Sequence, residues 1–259
     1  MEFEVTVDGG LIWGEDSGGS GPAMLLAHSG LADHRLWDPI WPALTGRARV
    51  IRYDARGYGR SSPPATAYRQ ADDMLRVLDD RRLGRAHLVG CSMGGATAID
   101  VALARPDRVA SLTLLAPGLS GYPWPDEPEI DADYQAAEAS GDPGAIAAIA
   151  IREWAAAGAG PLITDMLLGA IRAWPVEEEH CLEPEDPAYG RLGEVRAPAV
   201  LLIGDLDRPA LIACDEAIAA GIPGCELIRL PEVGNYPSLR DPEAVTRAIL
   251  DQCGLGEPN

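Results

Sequence analysis

Six short apolar segments, separated by helix-like stretches, constrain the fold more than any other feature of this sequence. Unbroken apolar runs of this length are typical of strands that are buried on both faces of a parallel sheet. Their alternation with helical patterns predicts βα repeats joined by right-handed crossovers. The six segments cover residues 23–28, 48–54, 86–91, 110–117, 197–204 and 225–231.

Two further stretches complete the predicted architecture. The N-terminal sequence "FEVTVDGGLIWGED" alternates apolar and polar residues around Asp8-Gly9-Gly10, which predicts a β-hairpin. Residues 119–189 contain helical patterns but no strand-like run, and a stretch of this length exceeds any ordinary loop. We therefore predict an α/β fold with a mostly parallel, doubly wound sheet. Its core would comprise residues 1–118 and 190–259, with a helical cap over a site at 119–189.

Charge and cysteine content narrow the range of partners. The chain has 259 residues and a net charge of −19, which argues against nucleic acid and anionic membrane surfaces as partners. Its five cysteines are scattered, which argues against a disulfide framework or a zinc site. The first ten residues are acidic, unlike a signal peptide, and no apolar run approaches the roughly 20 residues of a membrane span. We expect a cytoplasmic protein that acts on a small molecule, with no cofactor and no metal. The oligomeric state is left open.

The strongest catalytic signal is Gly90-Cys91-Ser92-Met93-Gly94. It fits the pattern G-x-S-x-G, directly after an apolar strand and directly before a helix. Glycines on both sides of the serine permit a sharp strand-to-helix turn, which lifts the serine hydroxyl above the sheet edge. The adjacent helix N-terminus favours developing negative charge. The pattern therefore indicates a nucleophilic serine.

Four segments extend this signal to a family resemblance that covers nearly the whole chain. The chain looks like an α/β-hydrolase, in particular the small capped group that includes enol-lactonases and related carboxylesterases. This resemblance is specific for fold and only weakly specific for substrate. The segments are "LLAHSGLADHRLWDP", "YDARGYGRSS", "LLIGDLDRP" and "LPEVGNYPSLRDPEAV".

The resemblance implies a set of catalytic positions. Ser92 would be the nucleophile, and the backbone N–H groups of Met93 and Gly30, with Leu31 as the alternative to Gly30, would form the oxyanion hole. Asp207 would be the acid of the triad. Asp205 is the competing acid, and Asp207 is preferred because it matches the family's fourth position counted from the glycine that ends the strand.

The triad histidine is missing from this pattern, because Asn235 stands at its position. An amide can donate through its NH₂ group and accept through its oxygen, but it cannot take up a proton at working pH. No shift of the alignment supplies a histidine, since the last one in the chain is His180. The chain as written is therefore expected to be a poor hydrolase.

The other histidines are weaker candidates for the base. His28 is expected to brace the oxyanion loop, and His87 to be structural at the opposite end of the sheet. His34 follows in the same loop as His28 and could approach the site, as could His180 from the cap.

Three functions remain open at this stage. The first is a serine hydrolase of a small, fairly apolar ester or lactone. In this hydrolase the triad histidine has been replaced by asparagine, either in evolution or by engineering. The second is a natural repurposing for cyclase, lyase or isomerase chemistry in secondary metabolism, and the third is ligand binding without catalysis. Large apolar side chains would line the pocket in each case. The predicted substrate contacts are Trp124, Trp154 and Tyr236.

Overall fold

A computed structural model describes residues 1–256 and shows a single eight-stranded sheet in this range. The strand order is β1-β2-β4-β3-β5-β6-β7-β8, in which β1 pairs antiparallel with β2, β2 pairs antiparallel with β4, and the other pairs are parallel. The predicted hairpin and mostly parallel sheet are confirmed. The last three residues of the predicted core, 257–259, lie outside the described residues. The strands are β1 (Glu2–Val7), β2 (Gly10–Asp16), β3 (Ala23–Ala27), β4 (Arg49–Tyr53), β5 (Ala86–Cys91), β6 (Val109–Leu115), β7 (Ala199–Gly204) and β8 (Glu226–Leu230).

Helices follow most of the strands, and three lie together between β6 and β7. In chain order the helices are α1 (Trp41–Thr45), α2 (Gln70–Asp80), α3 (Met93–Ala104), α4 (Pro128–Ser140), α5 (Pro143–Trp154), α6 (Pro161–His180), α7 (Pro209–Gly221), α8 (Pro237–Arg240) and α9 (Pro242–Gln252). The helices α4, α5 and α6, called the inserted helices below, pack on one another and fall within the predicted cap. The domain boundaries at residues 118 and 190 stay a prediction.

The sheet is covered on both faces, as a doubly wound fold requires. On one face the core includes Val77 of α2, Ile99 of α3 and Ile218 of α7. On the other it includes Leu44 of α1 and Ile249 of α9. Burial on both faces explains why the central strands are continuously apolar.

The last strand departs from the prediction of burial on both faces. Most of β8 is partly or fully exposed, and Leu227 keeps 36% of its surface exposed. The reason is topological, because β8 is the edge strand and pairs only with β7. No helix in residues 1–256 combines the length and apolar character that crossing a membrane requires.

Candidate active site

Ser92 occupies a strained turn between β5 and α3. Its backbone has φ 49° and ψ −113°, a conformation that non-glycine residues rarely adopt. Glycine is required on both sides. A Cβ at Gly90 would lie 2.3 Å from the carbonyl oxygen of Gly94, and one at Gly94 would lie 2.2 Å from that of Ala27. The local sequence therefore forces the turn and leaves the Ser92 side chain partly exposed.

Two backbone N–H groups near Ser92, those of Met93 and Gly30, have no hydrogen-bond partner among residues 1–256. Met93 is the first residue of α3, so its N–H has no partner within the helix. A Cβ at Gly30 would lie 3.5 Å from Met93 Sδ, which shows that the two loops adjoin. Within the described part of the chain no hydrogen bond engages the Gly30 N–H, whereas the Leu31 N–H donates to Ser29 Oγ at 3.1 Å. The geometry thus favours Gly30 over Leu31 as the second donor.

The loop that carries Gly30 is held in place by His28. The His28 Nδ1 lies 2.8 Å from the carbonyl oxygen of Ser29, and its Nε2 accepts the N–H of Ala55 at 2.9 Å. Both ring nitrogens are therefore occupied in a buried position. His28 braces the loop and has no nitrogen free to act as a base.

Asp207 lies just beyond the end of β7 and is almost completely buried. Its Oδ2 accepts the N–H of Gly204 at 3.3 Å. Burial raises the pKa of Asp207 to about 7, although the backbone N–H groups of Gly204 and Asn235 partly offset the increase. The competing Asp205 is exposed and pairs with Arg229 at 2.7 Å on the surface, so the geometry favours Asp207 as the acid.

Asn235 lies beside Asp207 with only 1% of its surface exposed. Its Oδ1 accepts the N–H of Tyr236 at 3.0 Å, and its Nδ2 has no hydrogen-bond partner among residues 1–256. The backbone of Tyr236 also contacts the thiol of Cys91, which precedes Ser92. The fold therefore brings the loops of Ser92, Asp207 and Asn235 together, with a buried amide where the resemblance places an imidazole.

A second buried carboxylate, Asp215 of α7, lies close to Asp207. Neither of its oxygens has a hydrogen-bond partner in the part of the chain that the structure describes. Burial, together with the nearby Asp207, holds the pKa of Asp215 well above its usual range. Sequence reasoning missed this residue because an aspartate in a helix is normally solvated. The apolar neighbours in "ALIACDEAIAA" were the available signal.

None of the described histidines lines a cavity that reaches Ser92. The His34 ring lies against Asp54, with 2.9 Å between Nδ1 and the carboxylate. His180 ends α6 outside both cavities, and His87 begins β5 at the far end of the sheet. None of the four histidines is therefore placed by this structure in the lining of the cavities at Ser92.

Two cavities meet at Ser92, and Ser92, Met93 and Glu177 line both of them. The first, called the aromatic cavity, measures about 430 Å³. The second, called the acidic cavity, measures about 350 Å³. The aromatic cavity is also lined by Tyr58, Tyr134, Trp154 and Trp174. The acidic cavity is also lined by Arg69, Gln70, Asp100, Trp124 and Glu183.

Glu177 is the polar group that the two cavities share, and sequence reasoning did not assign it a role. Its Oε1 accepts Gln70 Nε2 at 3.0 Å, and its Oε2 accepts the hydroxyl of Tyr58. It belongs to the run Glu177-Glu178-Glu179, which resembles a solvated helix face. Only the packing of α6 against the core turns the first of these side chains towards Ser92.

The three predicted substrate contacts occupy different positions. Trp154 lines the aromatic cavity, and Trp124 lines the acidic cavity with 45% of its surface exposed. Tyr236 lines neither, because it is fully buried and its hydroxyl donates to the carbonyl of Leu31 at 3.2 Å. Its geometry is that of a support for the oxyanion loop, and its contact with substrate stays a prediction.

One group of side chains has the spacing of a metal site. Ligand atoms of Asp33, His34 and Asp54 lie within 4.8 Å of one another. However, Arg35 pairs with Asp33 at 2.7 Å, and the backbone and ring of His34 both contact Asp54. The carboxylate oxygens of both aspartates are thus already engaged by hydrogen-bond donors, which include the backbone N–H of Arg60 for Asp54.

Comparison with known proteins agrees with this architecture. Residues 22–149 match the sequence profile of the family described as "alpha/beta hydrolase fold". A solved hydrolase from Pseudomonas aeruginosa PA01 superposes with a TM-score of 0.80 at 27% identity, over 98% of each chain. A thermophilic esterase from Thermogutta terrifontis gives 0.79 at 27% identity, also over 98% of each chain.

Among curated sequences, the first matches are local, although a putative carbamate hydrolase of Variovorax paradoxus is 28% identical over 89% of this chain and 91% of its own length. 3-Oxoadipate enol-lactonase 1 of Acinetobacter baylyi is 36% identical over 95 residues, which are 36% of this chain and 36% of the relative. More generally, the first curated relatives are matched over only 35% to 40% of their own length. The chain has the α/β-hydrolase fold, and its similar proteins support a hydrolase-like enzyme.

Proposed function

We propose that this chain is a serine hydrolase of small, fairly apolar esters or lactones, which lacks the base needed for fast turnover. One observation carries the proposal. Ser92 lies at a strained turn, the N–H groups of Met93 and Gly30 have no hydrogen-bond partner among residues 1–256, and the Asp207–Asn235 pair lies near Cys91, which precedes Ser92. This arrangement supports acyl transfer on Ser92 in which the imidazole base is lacking.

The chemistry follows from these groups. Ser92 Oγ would attack the carbonyl carbon, the new C–O bond would form, and the carbonyl electron pair would move to the oxygen. The N–H groups of Met93 and Gly30 would stabilise that oxyanion, a contribution of about 3–4 kcal/mol for one such donor in a serine protease. The ester C–O bond would then break as the electron pair returns from the oxyanion, and the leaving oxygen would take a proton from water. The acyl group would remain on Ser92 until a water molecule attacks it and releases the acid.

Proton transfer is the defective step. The Ser92 proton must leave as the bond forms, and the Asn235 amide cannot accept it. In a serine protease, removal of the base costs about 10⁶ in kcat and leaves roughly 10³–10⁴ over the uncatalysed reaction. We therefore expect this site to bind and polarise a carbonyl while turning it over slowly.

A three-variant assay tests the proposal. Hydrolysis of an activated short-chain ester is measured with the chain as given, with Asn235→His, and with Ser92→Ala in the Asn235→His background. We expect histidine to raise kcat/KM by several orders of magnitude and Ser92→Ala to abolish the gain. If a correctly folded Asn235→His variant shows no gain, the acyl-enzyme proposal is refuted in favour of carbonyl chemistry without an acyl-enzyme or of ligand binding alone.

A further inference from the structure

We infer that the substrate carries an ammonium group, which is held in the aromatic cavity by Glu177 and the surrounding rings. This inference narrows the proposed substrates to esters or lactones that carry one cationic group on an otherwise apolar molecule, and it therefore rests on the proposed function. Its basis is the combination of one carboxylate and four aromatic side chains around the nucleophile.

The lining of the aromatic cavity has the composition of a cation site. Tyr58, Tyr134, Trp154 and Trp174 contribute the rings, and Glu177 is the only charged residue of the described chain that lines it. Aromatic faces carry negative potential, and cages of such rings recognise quaternary ammonium ions. Gln70 and Tyr58, which donate to Glu177, are neutral, so a purely apolar acyl or alcohol group would leave the carboxylate facing it without a counter-ion.

The orientation of Glu177 is fixed by its neighbours. Gln70 donates to Oε1, Tyr58 donates to Oε2, and Gln70 Nε2 also lies 3.5 Å from Met93 Sδ. These contacts hold the carboxylate beside the turn of Ser92. Since two carboxylate oxygens offer about four acceptor positions, Glu177 retains acceptor capacity for a ligand.

The charges around Glu177 reinforce this preference. In the adjoining acidic cavity, Asp100 and Glu183 are also carboxylates. The cation of that cavity, Arg69, is already paired with Glu185 at 3.0 Å. An anionic substrate would therefore meet like charge near Ser92.

A second cation near the rings is also neutralised. The guanidinium of Arg208 lies 4.6 Å from the ring centre of Trp154 and pairs with Glu127 and Glu153. Arg208 does not line the aromatic cavity. Apart from Trp154, the rings that line this cavity are those of Tyr58, Tyr134 and Trp174. These three rings and Glu177 are thus the groups that an ammonium ion would contact.

An isosteric pair of esters tests the inference. Acetylcholine and 3,3-dimethylbutyl acetate have nearly the same shape, but only the first is charged. With the Asn235→His variant, we expect kcat/KM to be about tenfold or more higher for acetylcholine. With the chain as given, calorimetry should show that choline binds correspondingly more tightly than 3,3-dimethylbutanol.

Matched substitutions identify the group responsible. Glu177→Gln keeps the shape and hydrogen-bond acceptor of the side chain, and should reduce the cation preference about tenfold. Glu178→Gln makes the same charge change at the next, exposed residue of α6 and should preserve the preference. Tyr134→Leu should weaken choline binding, whereas Tyr134→Phe should retain it.

Two results would overturn the inference. The first is equal binding of choline and 3,3-dimethylbutanol. The second is an equal loss of cation preference in Glu177→Gln and Glu178→Gln, which would show that only the general electrostatic field attracts the cation. If Asn235→His also fails to hydrolyse the activated short-chain ester, the proposed function fails. The choline measurements on the chain as given still decide the inference in that case.

Discussion

Replacing Asp207 by asparagine should remove a large part of the pH dependence of folding stability. In the folded chain burial raises the pKa of Asp207 to about 7. An aspartate in an unfolded chain titrates near about 3.9. A separation of about three pH units corresponds to about 4 kcal/mol, which is an upper limit for this group.

The direction of the effect follows from which state binds the proton more tightly. Below about pH 4 the carboxyl is protonated in both states and contributes no pH dependence. As the pH rises towards 7, the unfolded chain loses this proton while the folded chain retains it, so the folded state becomes less stable. Above pH 7 the penalty is constant at its full value.

Urea unfolding measured between pH 4 and pH 8 provides the assay. For the chain as given, the free energy of unfolding should fall as the pH rises across this range. In Asp207→Asn this fall should be smaller, by up to about 4 kcal/mol. Asn235→His should also reduce the fall, because an imidazole beside Asp207 lowers the pKa of that carboxyl. Identical pH profiles for the chain and Asp207→Asn would refute the placement of Asp207 in a dry site without a cation.

Three further substitutions have defined outcomes. Gly94→Ala should destabilise the fold by about 3 kcal/mol or more in urea unfolding, because the added Cβ would lie 2.2 Å from the carbonyl oxygen of Ala27. A stability loss below about 1 kcal/mol would contradict the geometry of the turn. Tyr236→Phe should cost about 1–2 kcal/mol in the same assay, since it leaves the buried carbonyl of Leu31 without its donor, and an unchanged unfolding midpoint would show that this bond contributes nothing. His34→Asn should leave esterase activity in the Asn235→His background unchanged, whereas a loss of tenfold or more would place His34 in the chemistry.

Local sequence patterns predicted the strands, helices and turns whose conformation depends on residues close together in the chain. The turn at Ser92 needs glycine at 90 and 94 because the backbones approach within van der Waals distance, and that requirement is visible in the sequence. Asp207 and Asn235 were located through the family resemblance, which places the triad acid and histidine in loops that follow apolar strands. Parallel strands place such residues at one edge of the sheet.

The remaining features depend on packing between distant elements. Glu177 and Glu178 are adjacent carboxylates, yet only the first lines the cavities, because the rotation of α6 against the core decides which one faces inwards. Asp215 is buried by the close approach of α7 to the sheet. Tyr236, a predicted substrate contact, has a left-handed backbone at φ 77° and lies in the core, a position that the sequence pattern does not reveal.

The rate at which a fluorophosphonate modifies Ser92 tests most directly whether the site is complete except for its base. The chain as given and Asn235→His are incubated with the same probe, and intact-mass and peptide spectrometry follow the modified serine. We expect slow modification of the chain as given and modification faster by several orders of magnitude in Asn235→His, in both cases at Ser92. Rapid labelling of the chain as given, or labelling at another residue, would contradict this assignment.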